Sequence, residues 1–324
     1  MGDATTTPMT VRPLRWDGDG VHAADLDAVA GLYAAYETDR LGVVDTAPAD
    51  ISEYILNRPH VDRDRTVLLL EGDEPVATVY VSLDPFGKDV YGDIAVLPGR
   101  RSAVTESVRW LVESGRAIAA EQPDAGWTLR ISHWLPDDAM SAALAEHGLE
   151  PVRRFYRMRI ESDSPEIPEL MPQLPDGVEI VVRDDEETRR RIWALDMASF
   201  SDHYNFTPTP YDDWWSHFQG GTRDPEGWWL LTVDGEDAAF CLLAEARAEL
   251  GEGYVSVLGV KEEFRGRGLG SLLLRRAFVR YRDMGRTATL LGVDAENTTG
   301  AVGVYEAVGM RAAHTMQGWA LGLS

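Results

Sequence analysis

Leu258-Gly259-Val260-Lys261-Glu262-Glu263-Phe264-Arg265-Gly266-Arg267-Gly268-Leu269-Gly270-Ser271 reads as a strand that runs through a glycine-rich turn into a helix. Glycine lets a backbone come close to an anion. The first N–H groups of a helix have no partner inside it, so they point outward with the positive end of the helix dipole. Arg265 and Arg267 add positive charge to the same turn. In the helix that follows, Leu274, Ala277, Phe278 and Tyr281 recur at the spacing of one buried stripe and leave Arg275, Arg276, Arg280 and Arg282 on a solvated face. The stretch is an anion cradle, with a phosphate group expected between Arg265 and Ser271.

Three kinds of phosphate turn compete for this reading. A Walker loop needs a lysine before its Ser or Thr, whereas Gly270 directly precedes Ser271. The dinucleotide fingerprint needs G-x-G-x-x-G, and after Gly266 and Gly268 the third glycine, Gly270, comes one place early. What remains resembles the acetyl-CoA signature of the GNAT superfamily, Arg/Gln-x-x-Gly-x-Gly/Ala, met by Arg265, Gly268 and Gly270. The segment Val293-Asp294-Ala295-Glu296-Asn297, then Ala301 and Val304-Tyr305-Glu306-Ala307-Val308-Gly309-Met310, is similar to that family's next element.

The resemblance implies that the diphosphate of acetyl-CoA lies on Arg265, Gly266, Arg267, Gly268, Leu269, Gly270 and Ser271. It further implies that the pantetheine follows the backbone of Leu258 and Val260, with Asn297 beside it. Tyr305 would protonate the departing thiolate, although Ala301, Val304, Tyr305 and Val308 also form an ordinary apolar stripe. An amine would attack the thioester directly, a backbone N–H near Leu258 would hold the developing oxyanion, and neither a metal nor a covalent enzyme intermediate is called for. Glu252 shares a face with Tyr254, Ser256 and Leu258 by the period of two and is the candidate base. Glu245 and Glu249 are its rivals, and solvated surface accounts for each of them as well. Acids mixed with aromatic rings in Ser201–Phe206 and Tyr211–Trp215 suit a cationic or polyhydroxyl acceptor, with His203, Tyr204 and Trp214 as its contacts. An aromatic loop packed over its own sheet fits the same residues.

Outward from this motif the chain of 324 residues repeats itself. Each half offers a strand, a helix, a hairpin turned at Gly72-Asp73 or Asp234-Gly235, a fourth strand, a helix, a strand, a helix and a last strand. The expected fold is α+β (mixed α/β): two tandem GNAT-like units, each a mixed, mostly antiparallel sheet flanked by helices. The last strands are expected near Arg154 to Ile160 for the first unit and His314 to Ala320 for the second. Pro165, Pro168, Pro172 and Pro175 among acidic residues suit an extended, solvated linker, so residues 1–160, 161–177 and 178–324 are expected as first unit, linker and second unit. In the first unit Val104 and Glu106 stand where the glycines should be, so side chains would obstruct a phosphate there and Glu106 would repel it. That unit is expected to be degenerate. The tandem layout and the run Tyr254 to Val260 are similar to the mycothiol synthase family, whose acceptor is the cysteine amine of a sugar-linked thiol.

A net charge of −23 repels nucleic acid and anionic lipid surfaces and suits a neutral or cationic substrate. No stretch approaches the ~18 apolar residues of a spanning helix, and the single cysteine, Cys241, excludes an intrachain disulfide. The expectation is a cytoplasmic monomer or homodimer acting as an N-acetyltransferase on a small-molecule primary amine, with acetyl-CoA as co-substrate. A non-catalytic acetyl-CoA sensor or scaffold, and a protein N-acetyltransferase, are the competing readings.

Overall fold

The computed structural model describes residues 9–18, 20–56, 60–84, 86–201, 204–219, 222–297 and 300–323, with 53–55 described by backbone alone. Two units emerge. One runs to Arg154 and includes the chain from Met316 onward, and the other spans Phe155–Thr315.

The first unit contains β1 (Met9–Pro13), the short ribbon β2 (Trp16–Asp17) and β3 (Gly20–Val21), and α1 (Ala23–Leu41). It continues through β4 (Val67–Glu71), β5 (Glu74–Asp84), β6 (Asp89–Val96), α2 (Arg101–Glu121), β7 (Trp127–Leu135) and α3 (Asp138–Glu146) to the start of β8 (Glu150–Glu161). The second unit holds the rest of β8, then β9 (Val178–Val181), α4 (Glu186–Ser199), α5 (Tyr211–Ser216), β10 (Arg223–Val233), β11 (Glu236–Ala244) and β12 (Glu252–Val260). After these come α6 (Leu269–Asp283), β13 (Ala288–Asp294), α7 (Ala301–Ala307) and the start of β14 (Arg311–Leu323).

The strand order of the first unit is β1-β4-β5-β6-β7-β14, and that of the second is β8-β13-β12-β11-β10-β9. In both, antiparallel hairpins lead to one parallel pair, β6 with β7 and β12 with β13. The expected α+β class with helices on both sheet faces is what the chain adopts. In the second unit α6 and α7 cover one face, while α4 and α5 cover the other.

The unit boundaries differ from the linear division. Residues 155–161 of β8 pair antiparallel with β13, from Phe155 opposite Asp294 to Glu161 opposite Ala288, and so belong to the second sheet. The end of β14 belongs to the first unit, where Trp319 and Leu323 enter the core of α2 and β5. Alternating apolar residues mark these strands, but periodicity carries no information about which sheet supplies the ladder partner.

The proline-rich segment 161–177 is not a free, solvated linker. Ile167 is buried in the second core, Arg282 donates to the carbonyl oxygens of Pro168 (2.7 Å) and Glu169 (3.0 Å), and Arg276 donates to that of Pro172. Proline has no N–H, so a proline-rich segment forms no helix or ladder that would satisfy its own carbonyls, and the arginines of α6 supply the donors. No helix among the described residues is long and apolar enough to cross a membrane.

Candidate functional site

The site begins where two parallel strands part. β12 and β13 are paired only at Glu252/Ala288, Gly253/Thr289 and Tyr254/Leu290, although β12 continues to Val260 and β13 to Asp294. Packing fixes the fork. Gly253 lies under the Tyr281 ring, where a Cβ would come within 2.2 Å of it, and Tyr281 Oη shares its hydrogen bond between the carbonyls of Ala244 (3.0 Å) and Tyr254 (2.9 Å). Just beyond, the β11–β12 register slips so that Leu243 faces Val255 and Leu242 faces Val257, leaving Ser256 as a bulge. A bulge bends its strand and increases the local twist, which turns β12 away from β13.

The bulge settles which backbone groups face the opening. Lys261 N–H donates to Ala238 O (2.9 Å), so it points at β11, and by alternation the N–H groups of Val260 and Leu258 point at the open edge. Val260 O is likewise turned away from β11 and accepts from Arg265 Nε (3.2 Å). Leu258 and Val260 thus direct main-chain donors into the fork.

The glycine turn runs from Lys261 to Gly268 and opens α6. Gly266 and Gly268 adopt φ of 75° and 78°, and no atom lies within 4 Å of the place a Cβ would take on either, so open space lies above both. Gly270 rests on Val260 and Leu258, whose side chains lie 3.6 and 4.0 Å from its own Cβ position. Among the described residues, no acceptor takes the N–H of Gly266, Arg267, Gly268, Leu269, Gly270 or Ser271; the first helical bond is Leu272 N–H to Gly268 O at 2.9 Å. Six successive donors beside the fork fit a diphosphate. Leu269 anchors the turn from below in the α6 core. Arg265 is engaged elsewhere than the sequence suggests, because its Nη2 donates to Ser199 O (3.1 Å) while Nε holds Val260 O. It staples α4, β12 and the turn together. Arg267 is exposed and lies over the Phe264 ring at 4.9 Å.

On the far side of the fork, Asn297 sits in the turn after β13, its N–H bonded to Asp294 O (3.2 Å). Tyr305 on α7 is 9% exposed within the core that contains Cys241 and Leu269. Burial, aided by the nearby Cys241 thiol, pushes its phenol up to about 12, so it stays protonated through neutral pH. Cys241 pairs with Leu258 across β11 and β12 and is fully buried, which raises its thiol pKa and leaves it inert as a nucleophile.

The opposite face of the sheet carries an aromatic layer. Tyr211 and Trp214 of α5 pack with Ile192 and Leu195 of α4, Trp228 of β10 and Phe240 of β11, with Val257 at its border. Trp214 is 5% exposed and donates through Nε1 to Asp196 Oδ2 (2.6 Å), so it orients a carboxylate from within the core. Tyr204 is exposed, and His203 lies outside the described residues. Asp196 carries no motif and is missed by sequence reasoning; its place in an apolar helix face is the only local signal.

Glu252 is not brought to the fork's mouth. One oxygen accepts from Arg159 and the other from Arg247 (2.6 and 3.0 Å), in the paired stretch of β12, about 15–20 Å of strand from Val257 and Leu258. The shared face expected for Glu252 and Leu258 is lost at the Ser256 bulge, which puts Val257 on the side of Tyr254 and Leu258 with Val255 in the α6 core; the ion pairs that occupy Glu252 come from β8 and from the segment after β11, out of reach of a local reading. Glu245 is paired with Arg286, and Glu249 is exposed before β12.

In the first unit the corresponding turn is short. β6 ends at Val96 and α2 begins at Arg101, so Val104 and Glu106 lie inside the helix rather than in the loop. Val104 is buried in the core and Glu106 is paired with Arg109 (2.6 Å), so the cradle is absent because the loop is, and not because side chains obstruct it.

No group of three or more His, Cys, Asp or Glu among the described residues is arranged to hold a metal ion. Residues 189–310 match the model of the Acetyltransferase (GNAT) family. A mycothiol acetyltransferase of Thermobispora bispora is 31% identical over 251 residues, covering 76% of this chain and 79% of that protein. A second, from Nocardia farcinica, is 29% identical over 265 residues, covering 76% and 80%. Among solved structures, a GCN5-related N-acetyltransferase from Sphaerobacter thermophilus shares the fold with a TM-score of 0.77 at 24% identity over 97% of this chain and 95% of that one. A tandem GNAT protein from the clavulanic acid biosynthesis pathway does so with a TM-score of 0.73 at 16% identity, over 97% and 98%. With a forked parallel pair, a donor-lined glycine turn and these likenesses together, the chain belongs to the GNAT acetyltransferase family and is an acyltransferase.

Proposed function

We propose that the second unit transfers an acetyl group from acetyl-CoA to the primary amine of a small molecule by direct attack. The observation that carries this reading is the run of unpartnered N–H groups from Gly266 to Ser271 beside the open edge of β12. Bound there, acetyl-CoA supplies an acetyl group activated as a thioester. The chain's own contributions follow from position. The turn's N–H groups and the α6 dipole hold diphosphate. The Leu258 and Val260 N–H groups receive the pantetheine amides or the negative charge developing on the carbonyl oxygen. Asn297 borders the same opening, and Tyr305 holds a proton at Oη for the departing sulfur.

A chain charge of −23 favours a cationic acceptor. The relatives named mycothiol acetyltransferase put the cysteinyl amine of a sugar-linked thiol first among the amines to try. The test is free-thiol release across a panel of amines, with calorimetric titration of coenzyme A alongside. Tyr305→Phe is expected to bind coenzyme A as the parent does and to lose about 100-fold in kcat. Binding without turnover for any amine would instead mark a sensor.

A further inference from the structure

A primary amine is protonated at neutral pH, and an ammonium group has no lone pair with which to attack a carbonyl. The acceptor side therefore needs a proton-accepting group near the mouth of the fork, held in place but not neutralised by a fixed cation. Glu252 fails on both counts, and Glu245 is paired with Arg286.

Asp196 meets both. It lies on α4 three residues before Ser199, the point at which Arg265 ties that helix to the glycine turn, so about 5 Å of helix rise separates it from the staple. Trp214 Nε1 holds Oδ2 at 2.6 Å, and Oδ1 has no donor among the described residues. Its neighbours on the helix, Ile192 and Leu195, pack in the layer that Val257 borders on the opened stretch of β12.

We propose that Asp196 seats the ammonium group of the acceptor and takes its proton, a proposal that rests on the second unit being the acetyl-transferring one. One proton passes from the ammonium to the Asp196 carboxylate and on to solvent. The freed amine forms the C–N bond as the C–S bond breaks; Tyr305 supplies the proton that the sulfur takes up, and the second N–H proton, released through solvent, restores the Tyr305 phenol. The acceptor class that fits is a primary amine with no carboxylate beside it, since Asp196 would repel one.

The surrounding charges are committed elsewhere. Arg189 and Arg223 close on Asp184, Arg190 on Glu186, Arg191 on Asp237, and Arg157, from β8, on the Tyr254 hydroxyl. From β10 Asp224 meets Arg280, from β12 Glu252 meets Arg159 and Arg247, and Arg265 meets carbonyls. Glu187 lies on α4 itself; Asp212 and Asp213 lie on α5, the element packed against α4, with His217 just after it. Burial raises the Asp196 carboxyl to about 6, and the Trp214 hydrogen bond opposes that rise. The carboxylate is thus ionised at pH 7 and protonated below about 6.

The experiment compares the parent enzyme with Asp196→Asn and Trp214→Phe by thiol release from pH 5 to 9. Two acceptors are used: the best alkylamine of the panel and trifluoroethylamine, whose electron-withdrawing trifluoromethyl group leaves most of it neutral at pH 7 and above, where the two are compared. With the alkylamine, Asp196→Asn is expected to lose about 100-fold in kcat/KM and the acidic limb of the profile, with coenzyme A binding intact. With trifluoroethylamine it keeps its rate within a few-fold, which a merely structural role would not produce. Trp214→Phe removes a donor and moves the acidic limb to higher pH. An Asp196→Asn variant that turns over the alkylamine like the parent, or that loses both amines equally, overturns the proposal. A parent enzyme that turns over no amine overturns the functional reading itself.

Discussion

The turn after β12 and the turn after β6 occupy the same place in two units of the same design, yet only the turn after β12 leaves a run of N–H groups without acceptors among the described residues. Both follow the fourth strand of a unit, and both lead into a helix that packs on the parallel pair. In the second unit residues 261–268 separate strand from helix, and six N–H groups are left without partners among the described residues. In the first unit residues 97–100 do so, and Arg100 and Arg101 spend their N–H groups on Leu97 O and Gly99 O. A run of open donors is thus gained or lost by loop length, before any side chain matters.

The helix–sheet layers repeat the lesson with a carboxylate. Val29, Leu32, Tyr33 and Tyr36 of α1 fall at the spacing of Ile192, Leu195, Asp196 and Ser199 of α4. Opposite them, Asp93 faces Tyr80 on β5 where Val257 faces Leu242 on β11. The acid stands on the strand in one unit and on the helix in the other. Asp25, Asp89 and Asp137, buried in the first unit, each meet a guanidinium, whereas none is among the groups that act on Asp93. Burial pushes its carboxyl up to about 7, the backbone N–H of Ile94 opposes this, and the Glu37 charge adds to the rise.

The largest expected effect breaks the comparison at the turns. Gly268→Glu places a carboxylate and a side chain at φ of 78° in the cradle, and should weaken coenzyme A binding by more than about 100-fold by calorimetry. Glu106→Gly in the first unit should leave that binding unchanged, since Glu106 lies within α2.

Asp93→Asn probes the layers. An Asp whose folded pKa is raised keeps its proton in the fold after the unfolded chain has lost it, so its contribution falls as pH rises from about 4 to about 7. The variant should be more stable than the parent by on the order of 4 kcal/mol at pH 8 and equal to it near pH 4, by denaturant titration at each pH.

The smallest effect concerns the helices behind the turns. Arg282→Ala removes charge-assisted bonds to the Pro168 and Glu169 carbonyls and should cost about 1–2 kcal/mol in a denaturant titration. Arg109→Ala on α2 removes only the exposed pairs with Glu106 and Glu113 and should cost about 0.5 kcal/mol or less.

Much of the acyl-donor side was legible in the chain itself. Arg265 to Ser271 lie together because they are consecutive, and the apolar spacing of Leu274, Ala277, Phe278 and Tyr281 fixes which side of α6 turns inward. Even here contacts reassigned a role: Arg265 looks like a phosphate ligand until Ser199 and Val260 are seen to occupy it. The acceptor side was scarcely legible. Asp196 and Trp214 meet across a loop, and Glu252 suggests a base until Arg159 arrives from β8.

From its order alone the sequence determined the doubled strand–helix pattern, the hairpins and the glycine turn that opens α6, because each depends on φ preferences and on neighbours within a few residues. Tertiary structure decided which unit receives β8 and the end of β14, where β12 leaves β13, and which carboxylate stands in an apolar layer with no cation beside it among the described residues. Ladder partners, ion pairs and desolvation are set by groups far apart in the chain, and the alternation of apolar residues is the same whichever of those groups arrives.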